Sequence, residues 1–285
     1  MVELVQVLHL VVDSKLNCMY KDSIKNQHLL LPPDDRKFME ESANILVRTL
    51  QEVGKTIKPG VTTLELSLHA EEIISSADAK PSFKGYYVGK NQFQHAMCIS
   101  VNEEVVHGIP SDRKLVEGDI VTLDCGVYKN GYHADSAYTF AVGPIDLEKQ
   151  LLLDVTKKSL ELGVAEAKVS NKIYDIARAI QSYVEQNGFS VVRELTGHGI
   201  GKNLHQEPSV PNFVPALLYR KHFPNEKLVN GMTMAIEPMV NVGTASVLTA
   251  ADQWTIITAD RKPSAHFEHT IIVDNEKPII LTNWN

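Results

Sequence analysis

Five residues carry the chemistry this chain can do: Asp124, Asp135, His198, Glu237 and Glu268. Asp124 interrupts the apolar run Ile120 to Val127, Glu237 follows Met232-Thr233-Met234-Ala235-Ile236, and Glu268 sits within Ala265 to Val273. An unpaired carboxylate in a dry sheet costs several kcal/mol even after relaxation, so such groups are paired or bound to cations. Few basic residues lie nearby in sequence, which points to cations. Four carboxylates carry about four negative charges, and two divalent ions cancel them, whereas one ion leaves a strongly negative cluster in a low-dielectric site. The pattern predicts a two-metal centre.

Oxygen-rich ligation with one imidazole is poor for structural zinc, which prefers closed sulfur and nitrogen sets. It suits manganese, iron(II) or cobalt, with catalytic zinc also open. A carboxylate-bridged ion pair lowers the pKa of bound water, polarises a carbonyl and holds attacking and leaving groups, so hydrolysis is the reaction it supports best. Asp124 and Asp135 lie eleven residues apart, on either side of Lys129-Asn130-Gly131. An asparagine-glycine turn folds the two arms antiparallel, which sets both acids on one face. Taken singly, either Asp reads as an ordinary acid on an exposed hairpin. Thr196-Gly197-His198-Gly199-Ile200-Gly201 sets a histidine among glycines that allow close backbone approach. A phosphate-cradling loop is the competing reading, but the ordered lysine and hydroxyl of a P-loop are absent. His205 follows seven residues later.

The elements that position these groups can be read in outline. Pro32-Pro33 marks a turn, after which Asp34 or Asp35 is expected to cap a helix to about Val53, with Phe38, Met39, Leu46, Leu50 and Val53 near one face. Lys58-Pro59-Gly60 breaks it, and Thr62 to Glu65 has the spacing of a capping box for a second helix to about Ser76. Strands are expected at 96–101, 120–128 and 132–142. The order then recurs: a helix from Leu147 to about Ala167, a cap at Val169-Ser170-Asn171, a helix from Lys172 to Gln186 ended by Gly188, then strands at 190–194, 232–240 and 266–273. Two helix–helix–strand halves, about 37–142 and 147–274, predict an α+β fold by internal duplication, with the metal ligands in a cleft between halves.

Composition fits this frame. The 285 residues suffice for one large domain, given that single cores stop growing near roughly 250–300 residues. The 44% apolar and 22% charged content is ordinary for a soluble protein. A net charge of −7 gives no footprint for nucleic acid or anionic membrane. Three cysteines without a close pair (Cys18, Cys98 and Cys125) offer neither a disulfide framework nor a zinc motif, and a reducing, cytoplasmic setting is expected. No apolar run approaches the roughly 20 residues of a membrane span. The short stretch Val5 to Val12 has no basic leader and reads as part of the fold, not a signal peptide.

Six motifs then resemble type I methionine aminopeptidase: Val106-His107-Gly108-Ile109-Pro110, Leu123-Asp124-Cys125-Gly126, His133-Ala134-Asp135-Ser136, Gly197-His198-Gly199-Ile200-Gly201, Ile236-Glu237-Pro238-Met239 and Phe267-Glu268-His269-Thr270. The resemblance runs from roughly Arg36 to Thr282. It implies the duplicated pita-bread fold, an antiparallel β-sheet core flanked by two helix pairs with pseudo-twofold symmetry, and removal of the initiator methionine from nascent polypeptides with a small second residue. It implies two divalent ions, with Asp124 on one, His198 and Glu237 on the other, and Asp135 and Glu268 bridging. Glu237 would be the general base, His205 would stabilise charge on the scissile carbonyl, and His107 would orient the α-amine and amide. Cys98 and Trp254 fall where that family lines its methionine pocket. Read without the resemblance, Cys98 is a plain buried cysteine. His266 and His269 are expected outside the ligand set, and His95, His133 and His222 have no assigned work.

Some segments depart from the family. Residues 1–33 form an N-terminal extension, expected to cover the domain, contact the ribosome or act as a separate arm, with 34–285 as a single catalytic domain. The stretch Tyr86 to Phe93 is longer than usual, so the resemblance does not say which of its aromatic residues line the pocket. Leu204 stands where an aromatic residue is common, and Val214 to Asn230 reads as a surface excursion near the cleft. The prolidase or aminopeptidase P branch shares fold and ligands but carries a large added N-terminal domain. A non-catalytic peptide-binding module is the alternative outside enzymes, and the intact ligand set argues against it. The expected partners are nascent polypeptide N-termini, and the protein is expected to be a monomer.

Overall fold

The computed structural model describes residues 30–284 apart from Gly89 and Pro224, so the readings made for residues 1–29, among them the Val5 to Val12 stretch and Cys18, fall outside it. A 3-10 turn at Pro33–Asp35 leads into α1, Arg36–Lys55, which buries Met39, Leu46, Leu50 and Val53 with Phe38 partly covered. The expected aspartate cap is not made. The N-cap position falls at Asp35, but its side chain makes no capping hydrogen bond and accepts from the Tyr132 hydroxyl instead, tying the helix start to the central hairpin. Helix α2, Thr63–Ser76, opens on the expected capping box: Glu65 N–H donates to Thr62 Oγ1 at 3.1 Å and Thr62 N–H to Glu65 Oε2 at 2.8 Å.

Of β1 (Met97–Val101), β2 (Glu104–Val106), β3 (Ile120–Lys129) and β4 (Tyr132–Ala141), the first half builds its sheet on β1, β3 and β4, while β2 pairs with Ile256–Thr258 in another sheet. Strands β3 and β4 form the long hairpin, turned by Asn130 at φ 50° and Gly131 at φ 89°. Both central residues take positive φ, as a type I′ turn requires, and that turn matches the strand twist. Asp124 pairs with Ala137 and Asp135 with Gly126. Residues 124 and 126 share a face, and so do cross-strand partners, so the two aspartates are diagonal neighbours on one face. Cys98 on β1 stands directly opposite Asp124.

The second half repeats the helix pair. Asp146 caps α3, Leu147–Ala165, and α4 spans Ile173–Gln186, ending at Gly188 with φ 82°. The expected cap at Val169 to Asn171 is displaced by one residue. Lys172 is the N-cap, its N–H donating to Asp175 Oδ2 at 2.9 Å, while Asn171 Nδ2 donates to Glu166 Oε2 and joins the two helices.

Two expected strands are each broken in two. Strand β5 is Gly197–Gly199, β6 is Gln206–Val210, and the 232–240 stretch divides into β7, Thr233–Ile236, and β8, Met239–Asn241. After β9 (Val247–Thr249) and β10 (Ile256–Thr258), the 266–273 stretch divides into β11, Ser264–His266, and β12, His269–Ile272. Strand β7 pairs with β12, whereas β8 pairs with β11 in a different sheet. The breaks face each other at Glu237-Pro238 and Phe267-Glu268. Pro238, one residue after the glutamate, has no N–H to give to a ladder, and the strand ends at Ile236. Glu268 N–H donates to Ala137 O at 2.9 Å and Ser136 Oγ donates to Glu268 O at 2.7 Å, pinning the second break to β4. The strand expected at 190–194 is confined to Ser190–Val191, which pairs with β8.

Each helix pair covers its own apolar core: α1 and α2 on the β1–β3–β4 sheet, α3 and α4 on the strands of the second half. The duplicated α+β architecture expected from the sequence is therefore present. The 214–230 excursion lies against α4 and not at the cleft: Val214 N–H donates to Gln181 Oε1 and Tyr174 Oη to Phe223 O.

Strand β5 is held where a side chain larger than hydrogen has no room. A Cβ on Gly199 would stand 2.1 Å from the backbone oxygen of Glu207. Gly199→Ala should cost roughly 1–3 kcal/mol, read as a lower Tm in thermal unfolding. An unchanged Tm would show that β5 and β6 do not approach this closely.

Candidate metal centre

The hairpin, the glycine-flanked strand and the two strand breaks deliver their acids and imidazole to one cavity of about 540 Å³. Asp124 and Asp135 enter from β3 and β4, His198 from β5, and Glu237 and Glu268 from the facing breaks. His107, His205, Cys98 and Trp254 line the same cavity, so all nine residues singled out in the sequence meet there. Among the described residues, Asp135, His198 and Glu268 offer ligand atoms within 4.8 Å of one another. Glu237 Oε1 lies 3.7 Å from His198 Nε2, and Asp124 lines the wall beside this group. His266 stands behind Glu237, its Nε2 3.6 Å from Glu237 Oε2, and outside the tight group. His269 is turned to Thr282, with Nδ1 3.2 Å from the hydroxyl.

Burial dominates the electrostatics. It raises Asp124 to about 7. Burial first, then the charges of neighbouring acids, lift Asp135, Glu237 and Glu268 well above the usual carboxylate range. Burial depresses His198 to about 3 and His107 to about 4, leaving both imidazoles neutral. The His198 Nδ1 lies 2.8 Å from the Gly199 carbonyl, which can only accept, so Nδ1 carries the proton and Nε2 presents a bare lone pair. Asp135 Oδ1 and Glu268 Oε1 are buried with no hydrogen-bond partner. Buried polar atoms rarely stay orphaned in native proteins. Lone pairs from four acids and one neutral imidazole fit a divalent cation and little else.

The walls are built as carefully as the floor. His107 sits in the left-handed region at φ 61°, a conformation that persists only where its surroundings enforce it. Ile99 N–H donates to Gly108 O at 2.9 Å and Gly108 N–H to Ser100 Oγ at 3.1 Å, strapping this turn to β1. Trp254 is held by Asp252, whose Oδ1 accepts from Trp254 N–H at 2.8 Å and Thr255 N–H at 2.9 Å. Burial, and then the charge of Asp124, pushes the Cys98 thiol well up, so it faces the cavity as a neutral, soft group. Sequence reasoning left three aromatic wall residues unplaced: Phe83, Tyr86 and Phe93. Phe93 stacks on Trp254 at 5.3 Å, and the Tyr86 hydroxyl lies 3.1 Å from His205 Nδ1. Their clustering at 83–93 was the available signal, but only the folded hairpin that pairs Tyr87–Val88 with Asn91–Gln92 sets which rings point inward. Leu204 lines the cavity in the place noted for an aromatic residue.

Comparison with known proteins agrees with this geometry. Residues 37–275 match the sequence profile of metallopeptidase family M24. A methionine aminopeptidase from Borreliella burgdorferi is 48% identical over 249 residues, covering 87% of this chain and 96% of the relative. The crystal structure of methionine aminopeptidase from Thermotoga maritima matches with a TM-score of 0.83 at 38% identity, covering 89% of this chain and 98% of the other. Prolidase from Pyrococcus furiosus matches with a TM-score of 0.71 at 18% identity over 92% of this chain and 67% of its own, a likeness of fold alone. Among the described residues, no helix is long and apolar enough to cross a membrane. Pita-bread architecture, a cavity suited to divalent metal and near-full-length relatives agree: the chain belongs to metallopeptidase family M24, in its methionine aminopeptidase branch.

Proposed function

We propose that the chain removes the N-terminal methionine from nascent polypeptides, preferring a small second residue, with two divalent ions held by Asp124, Asp135, His198, Glu237 and Glu268. The observation that carries this reading is the single cavity that joins orphaned acid oxygens to a wall of Cys98, Trp254 and Phe93. Asp124 would hold one ion, His198 and Glu237 the other, and Asp135 and Glu268 would serve both. Cobalt, manganese, iron(II) and zinc all suit this donor set. When bound, such ions supply Lewis-acid polarisation of the scissile carbonyl and lower the pKa of water.

The chain's own residues do the rest. Glu237 accepts the proton of the attacking water and passes it to the leaving amine. His205 donates to the carbonyl oxygen as negative charge grows there. His107, neutral and fixed by its turn, orients the α-amine and the amide nitrogen. Cys98 and Trp254 receive the thioether side chain, for which a soft thiol and an aromatic face are suitable partners. Residues 34–285 act as one catalytic domain, a monomer working in the cytoplasm, with 1–33 as an extension that covers it or docks on the ribosome. The prolidase reading has less support, because the matching prolidase is 18% identical, against 48% for a methionine aminopeptidase.

Purified protein given a Met-Ala-Ser peptide with manganese or cobalt should release methionine, and a strong chelator should stop it. Release of proline dipeptides without methionine would overturn the assignment. Glu237→Gln should lower kcat by roughly 100-fold to 10,000-fold while peptide KM moves only a few-fold. A raised KM with kcat unchanged would reduce Glu237 to a binding role.

The metal-free protein should also respond to pH. Asp124 rises from an ordinary 3.8 to about 7 on folding, and the other three acids are also raised well above the ordinary carboxylate range. A raised folded pKa gives stability that is full below the unfolded value and lost as pH climbs through the folded one. His198 and His107 have the opposite sign, since their ordinary value of 6.5 falls on folding, and their contribution is complete above it. Above pH 6.5 the acids therefore act alone. The Tm of metal-free protein should fall as pH rises from there through about 7, and saturating manganese should raise it most at the alkaline end. A flat profile with no metal effect would contradict a shared buried acid cluster.

A further inference from the structure

Tyr86 reaches the cavity from a segment fixed on both sides. Gly85 N–H donates to Phe93 O and Phe93 N–H to Tyr86 O, both at 2.8 Å, while Tyr86 N–H donates to Phe83 O at 2.9 Å. Lys84, two residues earlier, is paired with Glu71 on α2. The backbone of Tyr86 therefore has its donor and its acceptor engaged. From there its ring meets His205 edge-on at 5.4 Å, and its hydroxyl is the hydrogen-bond partner of His205 Nδ1.

His205 lies against His198, with ring centroids 4.4 Å apart, yet the Nδ1 atoms of the two face different chemistry. His198 Nδ1 faces a carbonyl, which only accepts, and this forces the proton onto Nδ1. His205 Nδ1 faces a phenol, which can donate. A neutral imidazole carries a single N–H, so the hydrogen goes to one ring nitrogen or the other. If that hydrogen sat on Nδ1, Nε2 would show a lone pair to a carbonyl oxygen gaining negative charge, and the two would repel.

We propose that Tyr86 is a positioning residue acting through His205: its hydroxyl donates to Nδ1 and so keeps the imidazole proton on Nε2, the nitrogen that donates to the scissile carbonyl. Adjacent histidines thus receive opposite tautomers from opposite partners, one to present a lone pair and the other a hydrogen. The inference rests on the role given to His205 above, but the tautomer can be read without turnover. Nitrogen-15 NMR of histidine-labelled protein, metal-free and zinc-loaded, should show His205 protonated at Nε2, its signals identified by their loss in His205→Gln. In Tyr86→Phe the His205 signals should shift toward the Nδ1–H form. The same variant should lower kcat roughly tenfold with KM within about twofold, because the ring that lines the cavity is kept. Tyr86→Ala should raise KM as well. A wild-type His205 protonated at Nδ1, or a Tyr86→Phe variant with unchanged spectrum and kcat, would overturn the proposal. Absence of methionine release by the wild type would instead count against the peptidase reading, with the tautomer still on record.

Discussion

Repulsion among four buried carboxylates is the constraint on which the rest of this structure depends. Left to themselves, Asp124, Asp135, Glu237 and Glu268 would separate or take up protons, and burial raises all four toward protonation. The chain prevents separation by mounting two of them on a ten-residue-armed hairpin, pinning Glu268 to it through Ser136 and Ala137, and holding the Glu237 carbonyl with Asn212. Such rigidity is what a cation site requires, because ligands that could relax apart would not pre-form a cavity of fixed size.

The duplicated helix pairs supply that rigidity without touching the acids. Each pair buries its apolar stripe on its own half, and the cavity forms where the two halves meet. Glycines appear where backbones must nearly touch. Gly108 and Gly199 each leave about 2 Å between an added Cβ and a neighbouring backbone oxygen, and each lies beside a cavity histidine. The chain thus uses missing side chains next to functional ones, so that the imidazoles of His107 and His198 project from strands or turns that cannot shift outward.

What could be read from sequence followed from how local each signal is. Asp124 and Asp135 were legible because an asparagine-glycine turn fixes the register by itself. The box at Thr62 and Glu65 was legible for the same reason. Glu237 and Glu268 were visible as charges in apolar runs, but the switch of sheets beside each was not, since only tertiary pairing of β7 with β12 and β8 with β11 reveals it. Pro238 was the overlooked hint. The caps at Asp35 and Asn171 failed because tertiary partners, Tyr132 and Glu166, claimed the side chains first. Tyr86 and Phe93 escaped for want of any local rule that orients rings in a longer hairpin.

The facing breaks also govern how the second half can move. Strands β7 and β8 belong to separate sheets, as do β11 and β12, so the connections between those sheets run through Glu237-Pro238 and Phe267-Glu268. Any sliding of one sheet past the other must alter the spacing of these two glutamates. A cation gripped by both would work as a rivet at a joint. Slow amide-hydrogen exchange should spread outward from that joint along β7, β8, β11 and β12, well beyond the side chains that touch the ion.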